Sequence, residues 1–285
     1  MYFLDVRTDY AFKKVFGSVE NKEILISFLN ALIEFPHNRI ITNLEIVDPY
    51  NIPMLQGMKD TYVDVKALLD DGTRVIIEMQ VLNHPGLEKR ILYNAAKNYS
   101  VPLKKADDYT FLNPVIALTI VDFDMFPESD SVITRFKLLE KISFINYTDD
   151  IELIFIELPK FKKEIKELID IKDQWIYFIK EAGSLEYIPE NFFPTVKQAL
   201  DVANKAGLTE EELEIQYKRK EFIHIVNYSI EKAKKDGLSM GREEGLEQGL
   251  EQGVLKVARK LLDEGAEKSF VSKVTGLSLD YLDKL

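Results

Sequence analysis

Two β-rich runs, Thr61 to Leu69 and Thr73 to Leu82, flank the turn Asp70-Asp71-Gly72, and this hairpin constrains the chain more than any other feature. Side chains alternate faces along a strand, so the length of the turn decides which residues meet across it. A two-residue turn at Asp71-Gly72 would set Asp64 opposite Met79 and send the acids Asp64 and Glu78 to opposite faces. A three-residue loop with Gly72 in the left-handed conformation pairs Leu69 with Thr73 and sets Asp64 opposite Glu78. The hydrophobic pattern selects the three-residue loop, because that register pairs Val63 with Met79, Val65 with Ile77 and Ala67 with Val75 on one apolar face. The other face then carries Tyr62, Asp64 and Lys66 against Gln80, Glu78 and Ile76.

Directly opposed residues on paired strands have Cβ atoms about 5 Å apart, and like charges at that distance repel. A divalent cation relieves the repulsion, and carboxylate oxygens are the ligands that Mg²⁺ prefers. The same two acids are also compatible with an exposed sheet face balanced by Lys66 and Arg74. The chain has no cysteine, and its three histidines, 37, 84 and 224, show no ligand spacing, so a metal here would rest on oxygen rather than in a zinc site. Neither a glycine-rich phosphate loop nor a serine-nucleophile motif is present.

Around the hairpin the pattern is that of an α/β core. Residues 8 to 34 read as one helix, with Phe12, Phe16, Ile24, Phe28 and Leu32 at helical spacing. A strand is expected over Ile41 to Val47, a helix over Leu87 to Lys104, and buried strands over Asn113 to Val121 and Ile151 to Leu158. From Lys160 the chain turns to charged amphipathic helices, over Phe161 to Ala182, Pro194 to Ala206 and Glu210 to Lys235. Glycines then recur at 237, 241, 245, 249 and 253. On a helix of 3.6 residues per turn they form a slowly rotating stripe that lets a second helix approach, or they mark a weak helix or tether, since each interior glycine costs about 1 kcal/mol. The expected organisation is a core over 1–159, a helical extension over 160–235 and a glycine-periodic tail over 236–285. No uninterrupted apolar run is long enough for a membrane span and no leader pattern begins the chain, so the reading is a cytoplasmic protein with no membrane partner. The net charge of −11 is spread along the chain and argues against a protein that coats DNA nonspecifically, without excluding DNA as a substrate.

Several of these motifs together resemble a known family. The helix Thr8-Asp9-Tyr-Ala-Phe-Lys13, the strands Val63-Asp64-Val65 and Ile77-Glu78-Met79-Gln80, and the helix Lys89-Arg90-Ile-Leu-Tyr93 followed by Tyr99 resemble the PD-(D/E)XK nucleases of the Rpn type, described as recombination-promoting nucleases. The resemblance spans residues 1 to about 125, and the glycine repeat with its terminal helices is similar to the tail found there. It implies a restriction-endonuclease-like α/β fold, a mixed sheet flanked by helices, with an α-helical C-terminal extension. It implies that Asp64 is the central metal-binding aspartate, Glu78 the second acid, and the Met79 carbonyl a further ligand. Mg²⁺ or Mn²⁺ is then the cofactor, polarising the scissile phosphate and activating water. Asp9 matches an acid that completes the site, although an acid at a helix start is also favoured by the macrodipole.

Gln80 departs from the lysine usual in the wider superfamily. Lysine would bring a charge to the nucleophile and to the phosphorane, whereas Gln offers only hydrogen bonds. Lys13, one turn after Asp9 on the same helix face, is the candidate to supply that charge. Arg90 and Tyr93, three apart on one helix face, either contact phosphate or buttress the site, and Lys66 either contacts substrate or forms a surface ion pair. The tail segments Val254 to Leu262, Lys268 to Val274 and Leu279 to Leu282 have the rhythm of a helix-turn-helix, which would read DNA, or of a small dimerisation or capping element. The resulting expectation is a Mg²⁺-dependent DNA endonuclease linked to recombination or mobile elements, self-associating through its C-terminal helices. The rival is a nuclease-fold module of weak or lost activity that serves as a DNA- or protein-binding adaptor.

Overall fold

A computed structural model describes residues 2–51, 61–100, 108–204 and 208–285. The chain divides into two compact units, Met1–Ile223 and His224–Leu285.

The first unit is built on a mixed six-stranded sheet in the order β1-β4-β5-β6-β8-β7. Strands β1 (Leu44–Ile46), β4 (Val65–Leu69) and β5 (Arg74–Gln80) pair antiparallel. Then β5, β6 (Val115–Val121) and β8 (Asn146–Glu157) run parallel, and β7 (Ile133–Leu139) closes the far edge antiparallel to β8. Every residue of β6 is buried, as both faces of a central parallel strand must be. A separate two-stranded ribbon joins β2 (Tyr50–Asn51) to β3 (Thr61–Tyr62).

One face of the sheet, with Val65, Ala67, Val75, Ile77 and Met79, joins α1 (Asp9–Phe16), α2 (Lys22–Leu32), α4 (Ile171–Glu181) and α5 (Pro194–Val202) in a single hydrophobic cluster. Its centre is aromatic, with Phe16 against Phe28 at 4.5 Å and Trp175 within 6 Å of both rings. The opposite face, with Ile76, Val115 and Ala117, is covered by Ala95 of α3 (Leu87–Ser100). Alternation along β5 therefore sends odd positions to the aromatic core and even positions, Glu78 among them, toward α3.

The helix expected over 8–34 is two helices. Gly17 closes α1, the Ser18 side chain accepts from the Glu20 N–H, and the Asn21 amide donates to the Lys14 carbonyl, which together break the helix before Lys22. The β1 strand is shorter than expected and β8 begins earlier, while β7 was not foreseen. The α3 helix is described to Ser100 and α5 ends at Val202, so the expected stretches 101–104 and 205–206 lie outside the described residues.

Helix α6 (Glu210–Asp263) is continuous through the glycine repeat, and a Cβ on any of those five glycines would meet nothing within 4 Å. In the second unit, α7 (Lys268–Thr275) and α8 (Leu279–Leu282) fold against it around Ala258, Val271 and Leu282. Gly276, left-handed at φ 75°, ends α7 and turns the chain into α8. No helix among the described residues is long and apolar enough to cross a membrane.

Candidate metal centre and cleft

The hairpin turn is the three-residue loop that the pattern selects. Leu69 N–H donates to the Thr73 carbonyl at 2.9 Å, Gly72 has φ 86°, and the ladder runs Leu68↔Arg74, Ala67↔Val75, Lys66↔Ile76, Val65↔Ile77. At Asp64 it departs from the expected register. The Asp64 N–H donates to the Ile77 carbonyl at 3.1 Å, so Asp64 and Val65 both oppose Ile77, the arrangement of a β-bulge. Val63 consequently packs with Ile76 on the α3 side instead of pairing with Met79, and its N–H turns to the Pro49 carbonyl. Asp64 is thus not face to face with Glu78 across a regular ladder. Its carboxylate instead accepts the Met79 N–H at 2.8 Å, fixed to the backbone next to Glu78.

The two acids are held from two sides. Lys13 of α1 approaches Asp64 at 3.6 Å. Glu78, only 5% exposed, accepts from the Asn94 amide at 2.7 Å and lies 3.5 Å from Arg90, both on α3, with the Gln80 amide at 3.4 Å. Burial raises the Asp64 carboxyl above its ordinary range, against the Met79 N–H and Lys13, which favour the charged form. Burial raises Glu78 likewise, against the Asn94 hydrogen bond and Arg90, and the neighbouring Asp64 charge adds to the rise. Two desolvated carboxylates that repel one another are a donor set for a hard divalent cation. Among the described residues no group of three or more His, Cys, Asp or Glu is placed to hold a metal. Beyond Asp64 and Glu78, the oxygen donors nearest in the chain are the Met79 carbonyl and the Gln80 side-chain amide, both on residues that line the same cleft.

A cleft of about 880 Å³ opens over this pair. Asp9, Lys13, Asp64, Glu78, Met79, Gln80, Arg90 and Tyr93 all line it. Lys66 does not. It sits opposite Ile76 on the α3 face, where burial and Arg74 lower its pKa. Asp9, expected either to complete the site or merely to start a helix, lies near enough to Asp64 to raise its pKa and pairs with Arg219 of α6 at 3.1 Å. Sequence reasoning missed Asn94 and Arg219. Asn94 follows Arg90 by one turn and is legible as a polar residue on a buried helix face. Arg219 reaches the cleft from 210 positions away from Asp9, and no local pattern announces it.

This architecture, a mixed sheet flanked by helices with paired acids at a hairpin and the following parallel strand, defines a restriction-endonuclease-like α/β core. The sequence model described as PD-(D/E)XK nuclease family transposase matches residues 6–233, most of the chain, and the protein belongs to that family. The model described as Rpn/YhgA-like nuclease family, C-terminal HTH domain, matches residues 251–285, which covers α7, α8 and the end of α6. Of the two readings of the tail, helix-turn-helix or small capping element, the match supports the first. No curated protein and no solved structure matches the chain.

Proposed function

We propose that the protein is a metal-dependent DNA endonuclease that hydrolyses phosphodiester bonds in recombination or in the movement of genetic elements. The observation that carries this is the pair of desolvated acids, Asp64 and Glu78, anchored from two sides at the floor of an open cleft. Asp64, Glu78 and the Met79 carbonyl would hold Mg²⁺, or Mn²⁺ in its place. When bound, the ion polarises the scissile phosphate and lowers the pKa of the attacking water.

The remaining residues have distinct tasks. Asn94 and Arg90 orient Glu78 and favour its charged form against its burial, and the Met79 N–H does the same for Asp64. Gln80 orients water by hydrogen bonding but brings no charge. Lys13 supplies it, moving from its 3.6 Å contact with Asp64 toward the developing phosphorane charge. Asp9 sits at the rim with Arg219 as its counter-charge, and Arg90 and Tyr93 face the substrate backbone. The tail contributes a second DNA contact through its helix-turn-helix, and the exposed glycine stripe of α6 serves self-association.

Plasmid DNA incubated with the wild-type chain and with Asp64→Ala, in Mg²⁺, in Mn²⁺ and in chelator, tests the proposal. Nicking by the wild type alone, dependent on the metal, is expected. Equal nicking by both proteins, or none under any condition, overturns it.

A further inference from the structure

Tyr62 stands at the mouth of the cleft in a state that folding does not require. It is 66% exposed, lies two residues before Asp64, and lines the same cleft as the paired acids. Its ring is nevertheless fixed. The β2–β3 ribbon pairs Tyr50 with Tyr62, and the two rings stack with centroids 4.7 Å apart and planes 31° from parallel. A ring already held by a neighbour loses little further freedom when its open face is covered, which favours binding there. A second exposed ring, Tyr93, lines the cleft with the Lys97 ammonium 5.9 Å from its centroid.

The charge of the cleft fits a polyanion. Among the described residues its walls carry Lys13, Lys89, Arg90 and Arg219 against Asp9, Asp64 and Glu78, one cation in excess after the pairs Lys13–Asp64, Arg90–Glu78 and Arg219–Asp9, in a chain whose net charge is −11. Phosphate binding accounts for a cationic wall but not for an exposed Tyr62 ring stacked on a half-buried Tyr50. An aromatic face is useful to a nucleic-acid strand when a base can lie on it, and in an intact duplex each base face is already covered by its neighbours. We infer that Tyr62, backed by Tyr50, is a base-stacking platform beside the scissile phosphate, and that the cleft takes single-stranded DNA. The position of the phosphate rests on the nuclease reading above; the stacking is read by binding alone.

The test uses the full chain carrying Asp64→Asn, so that nothing is cut. Fluorescence anisotropy compares a labelled single-stranded oligonucleotide with a blunt duplex of the same sequence at one fixed salt concentration. Single-strand affinity is expected to exceed duplex affinity. Adding Tyr62→Ala is expected to weaken the single strand about tenfold and to bring the ratio toward one, with Tyr62→Phe and Tyr62→Trp restoring it. An oligonucleotide scanned with abasic sites, which keep the phosphates and remove one base at a time, should lose the same factor at one position, and lose nothing further in Tyr62→Ala. Equal weakening of both DNA forms by Tyr62→Ala, indifference to every abasic site, or binding of neither form overturns the inference. Because no turnover is measured, a wild type that fails to nick plasmid would refute the nuclease reading and leave this result standing.

Discussion

Replacing Asp64 with Asn sets the stability of the metal-free site against its capacity for metal. Both carboxylates are desolvated, and each is pushed above the ordinary carboxylate range. Neighbouring strands lie about 4.8 Å apart, and two unit charges about 6 Å apart at an effective dielectric constant of about 20 repel by about 3 kcal/mol. The Lys13 contact at 3.6 Å and the Arg90 contact at 3.5 Å offset part of this, by about 0.5–1 kcal/mol each because both cations are partly solvated. Asn keeps an oxygen for the Met79 N–H. The variant should therefore gain about 1–2 kcal/mol in chelator at neutral pH, which raises the melting temperature of the first unit by about 3–6 °C. Carboxyls raised in the folded state favour folding below their unfolded pKa values, near 4, and lose that contribution as pH rises through the raised values. The gap between variant and wild type is accordingly wide at pH 7 and closes as pH falls. A divalent ion reverses the order, since at a hundredfold excess over its Kd it stabilises the wild type by about 2.7 kcal/mol and finds one carboxylate fewer in the variant. Calorimetric scans in chelator, Mg²⁺ and Mn²⁺ between pH 5 and 8 read all three effects. A variant that melts below the wild type in chelator, or that gains as much from Mg²⁺, would refute the reasoning.

Lys13→Ala should lower plasmid cleavage about a hundredfold while leaving stability within about 1 kcal/mol, as measured by nicking rates and urea denaturation; unchanged cleavage in a folded variant would remove Lys13 from the chemistry. Glu157 is fully buried, accepts the Met125 and Phe126 N–H groups at 2.7 and 3.1 Å, and pairs with Lys160 at 2.7 Å. Its replacement by Ala leaves two buried backbone donors unpaired and the Lys160 ammonium with the Phe126 carbonyl alone, and should cost about 2–4 kcal/mol in a thermal melt. Gly72→Ala places a Cβ at φ 86° and 2.8 Å from the Asn113 side chain, so denaturant titration should show a loss of about 1–2 kcal/mol.

The hairpin turn was legible because two apolar pairs, Val65 with Ile77 and Ala67 with Val75, and one glycine agree on it, and the buried strand β6 because six of its seven residues are apolar. What the pattern could not show was the bulge. Val63 is as apolar as Val65, so hydrophobicity alone sends both to one face. The structure separates them because the Asp64 N–H takes the Ile77 carbonyl and the chain before it turns to pair with Pro49. The break between α1 and α2 was hidden for a similar reason, since Phe12, Phe16, Ile24 and Phe28 keep helical spacing across it while Ser18 and Asn21 redirect the backbone. Strand β7 alternates Arg135 and Lys137 with Phe136 and Leu138, but the run is short, none of its residues is buried, and it becomes a strand on the edge that β8 offers. The acids that line the cleft are ones the sequence singles out, whereas Asn94 and Arg219 owe their places to packing between distant elements.

The bulge makes Asp64 vulnerable to a kind of change that its neighbours tolerate. A substitution in β4 leaves chain length alone, and the Asp64 carboxylate stays latched to the Met79 N–H. Only Val63 and Asp64 lie between Tyr62 and Val65, so deleting one residue there would erase the irregularity together with either the acid itself or the Val63 contact with Ile76. Along that strand the buried positions Val65, Ala67 and Leu69 tolerate only apolar exchange, whereas an insertion or deletion before Val65 would separate the two acids in one step.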